Sequence, residues 1–161
     1  MSASLKREAA VEPESKESLR LWLRILKTTR LVEAELRERL RVNFNTTLPR
    51  FDVMSALYRN RDGLKMSELS KLLMVSNGNV TGIVDRLSDD GLTLREAVSG
   101  DRRAMRVRLT TRGVEEFRRQ AEAHEKWVGE LLSGLDTPTC REVGALLSQA
   151  VIRHKGEITD E

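Results

Sequence analysis

The chain has 161 residues, of which 39% are hydrophobic and 33% are charged, and its formal net charge is +3. This length suits either one domain or a small core with a dimerisation arm. So small a net charge does not by itself indicate a nucleic-acid partner. No apolar run approaches the roughly 20 residues that a membrane-spanning helix needs. The single cysteine excludes a disulfide within the chain and favours a cytoplasmic location.

Residues 1–14 lack apolar periodicity, and we predict that they form a flexible arm. From residue 15 to about residue 42, apolar side chains recur at helical spacing along two stripes. This pattern predicts a long helix with two packing partners. Pro49 suits the first turn of a second helix, which the polar residues 60–63 end.

Two short helical patterns follow, separated by a tight turn at Met74 and Val75. Ser67 is the expected N-cap of the first helix, and Ser76 is that of the second. The apolar residues of the second helix have the i, i+3, i+4, i+7 spacing of a single buried stripe: Val80, Ile83, Val84 and Leu87. Gly91 suits the left-handed position that follows a helix end.

After Gly91 the apolar period changes to two, which predicts a β-hairpin with one apolar face and one arginine face. Its apolar residues are Leu92, Leu94, Met105, Val107 and Leu109. A long helix capped by Thr110 or Thr111 follows, with an inward seam that includes Phe117 and His124. Asp136 precedes a last helix, whose expected buried side holds Val143, Leu146, Leu147, Ala150 and Val151.

A short helix, a tight turn, a second helix and a hairpin form a winged helix-turn-helix, whose second helix enters the major groove of DNA. Gly78 and Gly82 lie opposite the buried stripe of that helix, although glycine within a helix costs about 1 kcal/mol relative to alanine. We interpret them as positions where the backbone approaches DNA, while neighbouring side chains reach bases or phosphates. An unselected surface is the alternative. The predicted DNA-contacting residues are Ser67, Ser76, Asn77, Gly78, Asn79, Thr81, Gly82, Arg86, Arg102 and Arg103.

Arg102 and Arg103 lie at the predicted tip of the wing, where an extended guanidinium can enter a minor groove. The alternative is a charged hairpin that is merely solvated. Asp85, on the outward side of the second helix, is unfavourable next to phosphate. It either accepts a hydrogen bond from cytosine or pairs with a nearby arginine.

Several motifs occur in an order and spacing that resemble the MarR family of transcriptional regulators over about residues 48–113. They are SELSKLL at 67–73, GIVDRL at 82–87, DRR at 101–103 and VRLTTRG at 107–113. The resemblance implies a mainly α fold with six helices and a small β-hairpin wing, in which residues 48–113 form the winged helix-turn-helix. It also implies that residues 15–47 and 114–161 interlock two copies as a homodimer. Leu94 and the wing loop 97–100, which lacks proline, depart from the family pattern.

The resemblance implies two further features. Asp101 would brace an arginine, Arg86 or Arg103, rather than contact DNA. A small-molecule effector would bind between the dimerisation region and the winged helix, and the candidate pocket residues are Trp22, Leu26, Phe44, Arg50, Phe51 and Met54. Plain core packing is the alternative for these residues. Segments 46–52 and 78–82 are similar to a subgroup that responds to aromatic acids or their acyl-CoA thioesters.

The sequence thus predicts a homodimeric repressor that binds a pseudo-palindromic site in double-stranded DNA and is released by an effector. It contains no nucleophile–base pair, phosphate loop or acid dyad, so we expect neither catalysis nor a cofactor. His124, His154 and Cys140 lack the spacing of metal ligands. Two alternatives stay open: a redox-responsive regulator that uses Cys140, and a winged helix that binds a protein partner.

Overall fold

The computed structural model describes residues 13–98 and 101–150, and the side chains of residues 16–98 and 105–150. Within these residues the elements are α1 (Pro13–Phe44), α2 (Leu48–Arg59), β1 (Leu64–Lys65), α3 (Met66–Leu72), α4 (Asn77–Asp89), β2 (Thr93–Val98), β3 (Asp101–Leu109), α5 (Thr111–Leu131) and α6 (Thr137–Ala150). The expected mainly α fold with six helices and a β wing is confirmed. Helix α1 begins at Pro13, two residues before the predicted position, so residues 13 and 14 are helical and not part of an arm. The rest of the predicted arm, residues 1–12, lies outside the described residues.

The cap predicted for α3 is wrong. The helix begins at Met66, and Lys65 is the N-cap, so Ser67 lies inside the first turn. The backbone N–H of Lys65 donates to a carboxylate oxygen of Glu68 at 2.7 Å. A glutamate three residues after the N-cap can thus satisfy an amide that precedes the helix.

Both ends of α4 form as predicted. The Ser76 hydroxyl accepts a hydrogen bond from the backbone N–H of Asn79 at 3.3 Å. At the other end Gly91 has φ +71°. The N–H groups of Gly91 and Leu92 donate to the carbonyls of Ser88 and Leu87, each at 2.9 Å, which is a Schellman turn. This turn directs the chain from α4 into β2.

The wing is part of a three-stranded antiparallel sheet of order β1-β3-β2, rather than a two-stranded hairpin. Strand β1 has only two residues, too few to produce a periodic sequence signal. On β2 the inward face is shifted by one residue from the predicted one. Thr93 lies opposite Leu109 and is buried, whereas Leu94 lies opposite Arg108 and is half-buried. A threonine can face the core here because its hydroxyl bonds to that of Ser88 at 2.8 Å, which satisfies the buried polar group.

The core lies between α2, α3, α4 and β3, and the C-terminal half of α1 and the first half of α5 pack against it. Its fully buried side chains are Leu40, Val53, Met54, Leu57, Leu69, Val80, Val84, Leu87 and Val107. An aromatic group joins α2 to α5. The Phe51 ring lies 5.4 Å from that of Phe117 and stacks on the imidazole of His124 at 4.5 Å between centroids.

The first half of α1 and all of α6 differ from the rest of the fold in the exposure of their apolar side chains. No residue of α6 is buried, so the side of this helix that was predicted to be buried is not covered by the described residues of one chain. Val143, Leu146 and Leu147 are exposed, and so is Trp22, at 54%. Val151, expected on the same side, lies outside the described residues. The first half of α1 and all of α6 therefore present apolar surface that the described part of the chain does not cover.

Gly113 allows a close contact between the start of α5 and the chain after α4. A Cβ atom there would lie 2.0 Å from the carbonyl oxygen of Leu92, and backbone cannot yield as a side-chain tip can. We expect Gly113→Ala to lower the free energy of unfolding by about 3 kcal/mol, measured by urea denaturation. Gly129→Ala, also on α5 but with nothing within 4 Å, should instead be neutral or stabilising by up to about 1 kcal/mol. Equal stability of the two variants would contradict the contact.

His124 should make stability depend on pH. Burial lowers the pKa of this imidazole below its ordinary value of 6.5, so the unfolded chain binds the proton more readily than the folded chain. The stabilising contribution is present above pH 6.5 and is lost as the pH falls below it. We expect His124→Phe, which keeps the ring stack, to flatten this decline in thermal denaturation. Asp52, whose pKa burial raises, has the opposite effect on stability at lower pH. A decline in stability that is unchanged in His124→Phe would exclude the histidine as its cause.

Candidate nucleic-acid interface

The outward side of α4 carries residues that have no packing role. A Cβ atom at Gly78 or Gly82 would meet nothing within 4 Å, so neither glycine is needed for internal fit. Asn77, Asn79 and Thr81 beside them are exposed. The Thr81 hydroxyl donates to the carbonyl of Asn77 at 2.8 Å. This side of α4 is therefore polar, and two glycines about one turn apart leave its backbone without a covering side chain.

An ion pair joins α4 to the wing. The guanidinium of Arg95, on β2, donates to the carboxylate of Asp85, on α4. Of the two roles predicted for Asp85, the structure supports pairing with an arginine. The pair lets an acidic residue lie on an outward surface without an unbalanced negative charge, and it links the orientation of the wing to that of α4.

Other arginines of the sheet also have partners. Arg108 donates through Nε and a terminal nitrogen to the two carboxylate oxygens of Glu96, at 2.8 and 2.5 Å. This bidentate contact lowers the pKa of the Glu96 carboxyl and raises that of Arg108. Arg106 donates to the carbonyl of Gly63 at 3.2 Å. On the predicted arginine face, the charge of Arg108 is thus neutralised by a carboxylate, and Arg106 is hydrogen-bonded to the backbone.

The remaining predicted residues fall into three groups. Arg86 is exposed in the last turn of α4, on the same side of the fold as the glycines. Ser67 is exposed on α3, and the Ser76 hydroxyl serves as the cap of α4. The backbone of β3 includes Asp101, Arg102 and Arg103, but their side chains lie outside those described, so their roles stay predictions.

The six candidate effector residues do not line one cavity of a single chain. Phe51 and Met54 belong to the core, whereas Leu26 is half-buried and Trp22 is exposed in the first half of α1. Trp22 and Phe44 are separated by about 33 Å along that helix at its usual rise. Phe44 and Arg50 line a common cavity, of about 460 Å³.

Sequence reasoning missed an ion pair in the lining of this cavity. Arg50, at the start of α2, pairs with Asp90, the C-cap of α4. The two residues are 40 positions apart, and no local pattern connects them. Only the packing of α2 against α4 brings them together.

Other chemistry has little support among the described residues. They include no cluster of three or more histidine, cysteine, aspartate or glutamate side chains placed to hold a metal ion. None of their helices combines the length and apolarity needed to cross a bilayer. Cys140 is exposed on α6, with its sulfur 3.9 Å from the carbonyl oxygen of Leu135. A redox role for this thiol stays a prediction.

Comparison with known proteins agrees with the motifs. The MarR family model matches residues 46–105. A crystal structure of a MarR family transcriptional regulator from Silicibacter pomeroyi shares 34% identity and a TM-score of 0.73, over 87% of this chain and 96% of that one. The chain belongs to the MarR family.

Two further relatives of this MarR family member were found. The HTH-type transcriptional regulator YkoM from Bacillus subtilis (strain 168) is 29% identical over 74% of this chain and 76% of its own length. The crystal structure of a mutant MarR from E. coli, complexed with operator DNA, shares 25% identity and a TM-score of 0.73, over 84% of this chain and 96% of that one. Both likenesses extend well beyond residues 46–105, into the flanking helices.

Proposed function

We propose that this protein is a sequence-specific DNA-binding transcriptional regulator that places α4 in the major groove. The observation that carries the proposal is the outward side of α4, where Gly78 and Gly82 meet no packing demand and lie among exposed amide and hydroxyl groups. Glycine permits close approach of the backbone, and amide side chains suit the donors and acceptors of base edges. The structural likeness to E. coli MarR complexed with operator DNA supports this placement.

The wing grips the minor groove beside the site. Arg95 and Arg108 are already paired with carboxylates, so the tip arginines Arg102 and Arg103 are the candidates for entering the groove. Asp101 would hold Arg86 or Arg103 in position. The ion pair between Arg95 and Asp85 then fixes the distance between the two reading elements.

The active form is a homodimer assembled through residues 15–47 and 114–161. Its support is the apolar surface of α1 and α6, where Leu19, Trp22 and Leu146 are each more than half exposed. Exposed apolar surface on this scale indicates an interface. A two-fold dimer places two α4 helices about one helical turn of DNA apart, which matches a pseudo-palindromic site.

Regulation follows if a small molecule changes the separation of the two α4 helices. An effector that binds better to a form whose spacing does not match DNA lowers the affinity of the dimer for its site. We propose that the protein represses transcription until such an effector releases it. An aromatic acid or aromatic acyl-CoA is the effector class that segments 46–52 and 78–82 suggest.

Fluorescence anisotropy with DNA from upstream of the protein's own operon tests the proposal. We expect tighter binding than to a scrambled fragment, with an affinity that falls steeply as salt rises. Arg102→Ala/Arg103→Ala should weaken binding, whereas Arg37→Ala/Arg41→Ala, on α1, removes the same charge and should not. Unaltered affinity of the wing variant would reject the wing contact. A flat salt response, or capture of an acidic protein without DNA binding, would favour the protein-interaction alternative.

The two glycines of α4 provide a test in which stability and binding move in opposite directions. Gly78→Ala and Gly82→Ala should each stabilise the fold by up to about 1 kcal/mol, because alanine is the better helix former. Each should also weaken binding to the upstream DNA by on the order of tenfold, because a methyl group holds the backbone away from the groove and weakens base contacts. Urea denaturation and anisotropy measure the two effects, with Gly129→Ala as the control. Tighter or equal DNA binding would contradict the proposed approach of α4.

A further inference from the structure

The turn between α3 and α4 carries the most exposed of the large apolar side chains in the described part of the chain. Met74 is 91% exposed, and it belongs neither to the core nor to the partly buried side chains packed against it. Leu72 and Val75, close to it in the chain, are exposed as well. The turn therefore presents a small apolar surface that is not needed for packing within one chain.

Met74 also has an unfavourable backbone conformation. Its φ is +53°, in the left-handed region, which glycine adopts freely and an L side chain adopts only at a cost. The turn is held by its backbone, because the N–H groups of Met74 and Val75 donate to the carbonyls of Lys71 and Ser70 at 3.3 and 3.1 Å. Glycine would make the same hydrogen bonds without the strain. The methionine side chain therefore destabilises the turn, and its exposure gives it no compensating contact within the chain.

The position of Met74 indicates what its side chain contacts. Ser76, two residues later, is the N-cap of α4, so the turn leads directly into the helix that we propose enters the major groove. In a helix-turn-helix the first residues of the second helix contact base edges. Asn77 and Gly78, which begin α4, are exposed. The apolar surface of the turn is thus continuous with the polar side of α4.

The apolar character of this side chain narrows the partner on DNA. The apolar group that base edges present in the major groove is the C5 methyl group of thymine. Methionine suits such a contact, because its unbranched chain and polarisable sulfur adapt to small apolar surfaces. Cytosine presents an amino group instead, which would lose hydrogen bonds to water against a thioether. A contact by Met74 therefore favours thymine. A protein partner is the alternative, but three side chains form a smaller surface than stable protein interfaces have.

We propose that Met74 contacts the C5 methyl group of one thymine in each half-site of the DNA and makes the protein prefer thymine at that position. This inference rests on the proposed function, because it requires α4 to lie in the major groove. It adds a specificity-determining residue that lies outside α4 and the wing. It also gives a strained and exposed methionine a role that folding does not provide.

Fluorescence anisotropy with modified upstream DNA tests the contact. Single thymines of the half-sites that the protein protects are replaced by uracil, which lacks only the C5 methyl group. At one thymine in each half-site we expect the replacement to weaken binding of the wild-type protein by about threefold to tenfold. Met74→Ala should bind the unmodified DNA more weakly by a similar factor and should not respond to that replacement. Met74→Leu, which keeps an apolar side chain, should still respond.

Three further variants serve as controls. Thr81→Ser removes another methyl group beside the glycines of α4 but keeps the hydroxyl that donates to Asn77, so the response at the Met74 position should persist. Val42→Ala shortens an exposed apolar side chain on α1 and should leave DNA affinity unaltered. Met74→Gly separates folding from binding. It should raise the midpoint of thermal denaturation by about 2–4 °C, because it relieves the backbone strain, while it weakens DNA binding.

Each contrary outcome rejects a stated part. Equal DNA affinity of Met74→Ala and the wild-type protein would reject the contact with DNA and favour a protein partner for this surface. Weaker binding by Met74→Ala with an unchanged response to every uracil, or a wild-type protein that responds to none, would reject thymine as the contacted base. A thermal midpoint of Met74→Gly that does not rise would contradict the strain. Failure of the wild-type protein to bind the upstream DNA at all would reject the proposed function itself, and this contact with it.

Discussion

Burial of one stripe of α4 determines which of its sides remains available to a partner. Val80, Val84 and Leu87 have no exposed surface. Rotating the helix about its axis would expose this apolar area, at a free-energy cost of about 25 cal/mol per Å². The opposite side, with its two glycines, must therefore face outward. The Schellman turn at Gly91 then fixes where the wing begins. The positions of α4 and of the start of the wing, the two elements that we propose contact DNA, follow from this packing constraint and this turn.

The distribution of charge is the second organising feature. The ion-pair partner of each arginine matters more than the net charge of the chain. Three arginines of the sheet are bound within the chain, Arg95 and Arg108 to carboxylates and Arg106 to a backbone carbonyl, so they contribute orientation rather than free charge. The ion pair of Arg95 with Asp85 ties the wing to α4, and that of Arg50 with Asp90 ties α4 to α2. Such exposed or half-exposed pairs contribute little to stability. Their effect is on geometry, which is what a regulator has to change.

Several features that a local pattern determines were predicted from the sequence, although the cap predicted for α3 was wrong. The stripe of α4, the cap at Ser76 and the helix end at Gly91 follow from periodicity and backbone preference, and all were predicted correctly. Strand β1 was not predicted because its two residues are too few to give a periodic pattern. The Thr93 side chain faces the core because its hydroxyl has a hydrogen-bond partner on α4, the hydroxyl of Ser88. The cavity and its Arg50–Asp90 pair depend on tertiary packing across 40 residues. The exposure of α6 follows from the absence of a covering element within the described part of one chain.

The central claim is that α4 reads the major groove while the wing reads the minor groove beside it. Dimethyl sulfate footprinting on the upstream DNA tests this directly, because the reagent methylates guanine N7 in the major groove and adenine N3 in the minor groove. We predict protection of guanine N7 in two half-sites about one helical turn apart, with protection of adenine N3 in the flanking sequence. Bound protein that leaves guanine N7 fully reactive throughout its site would contradict the claim.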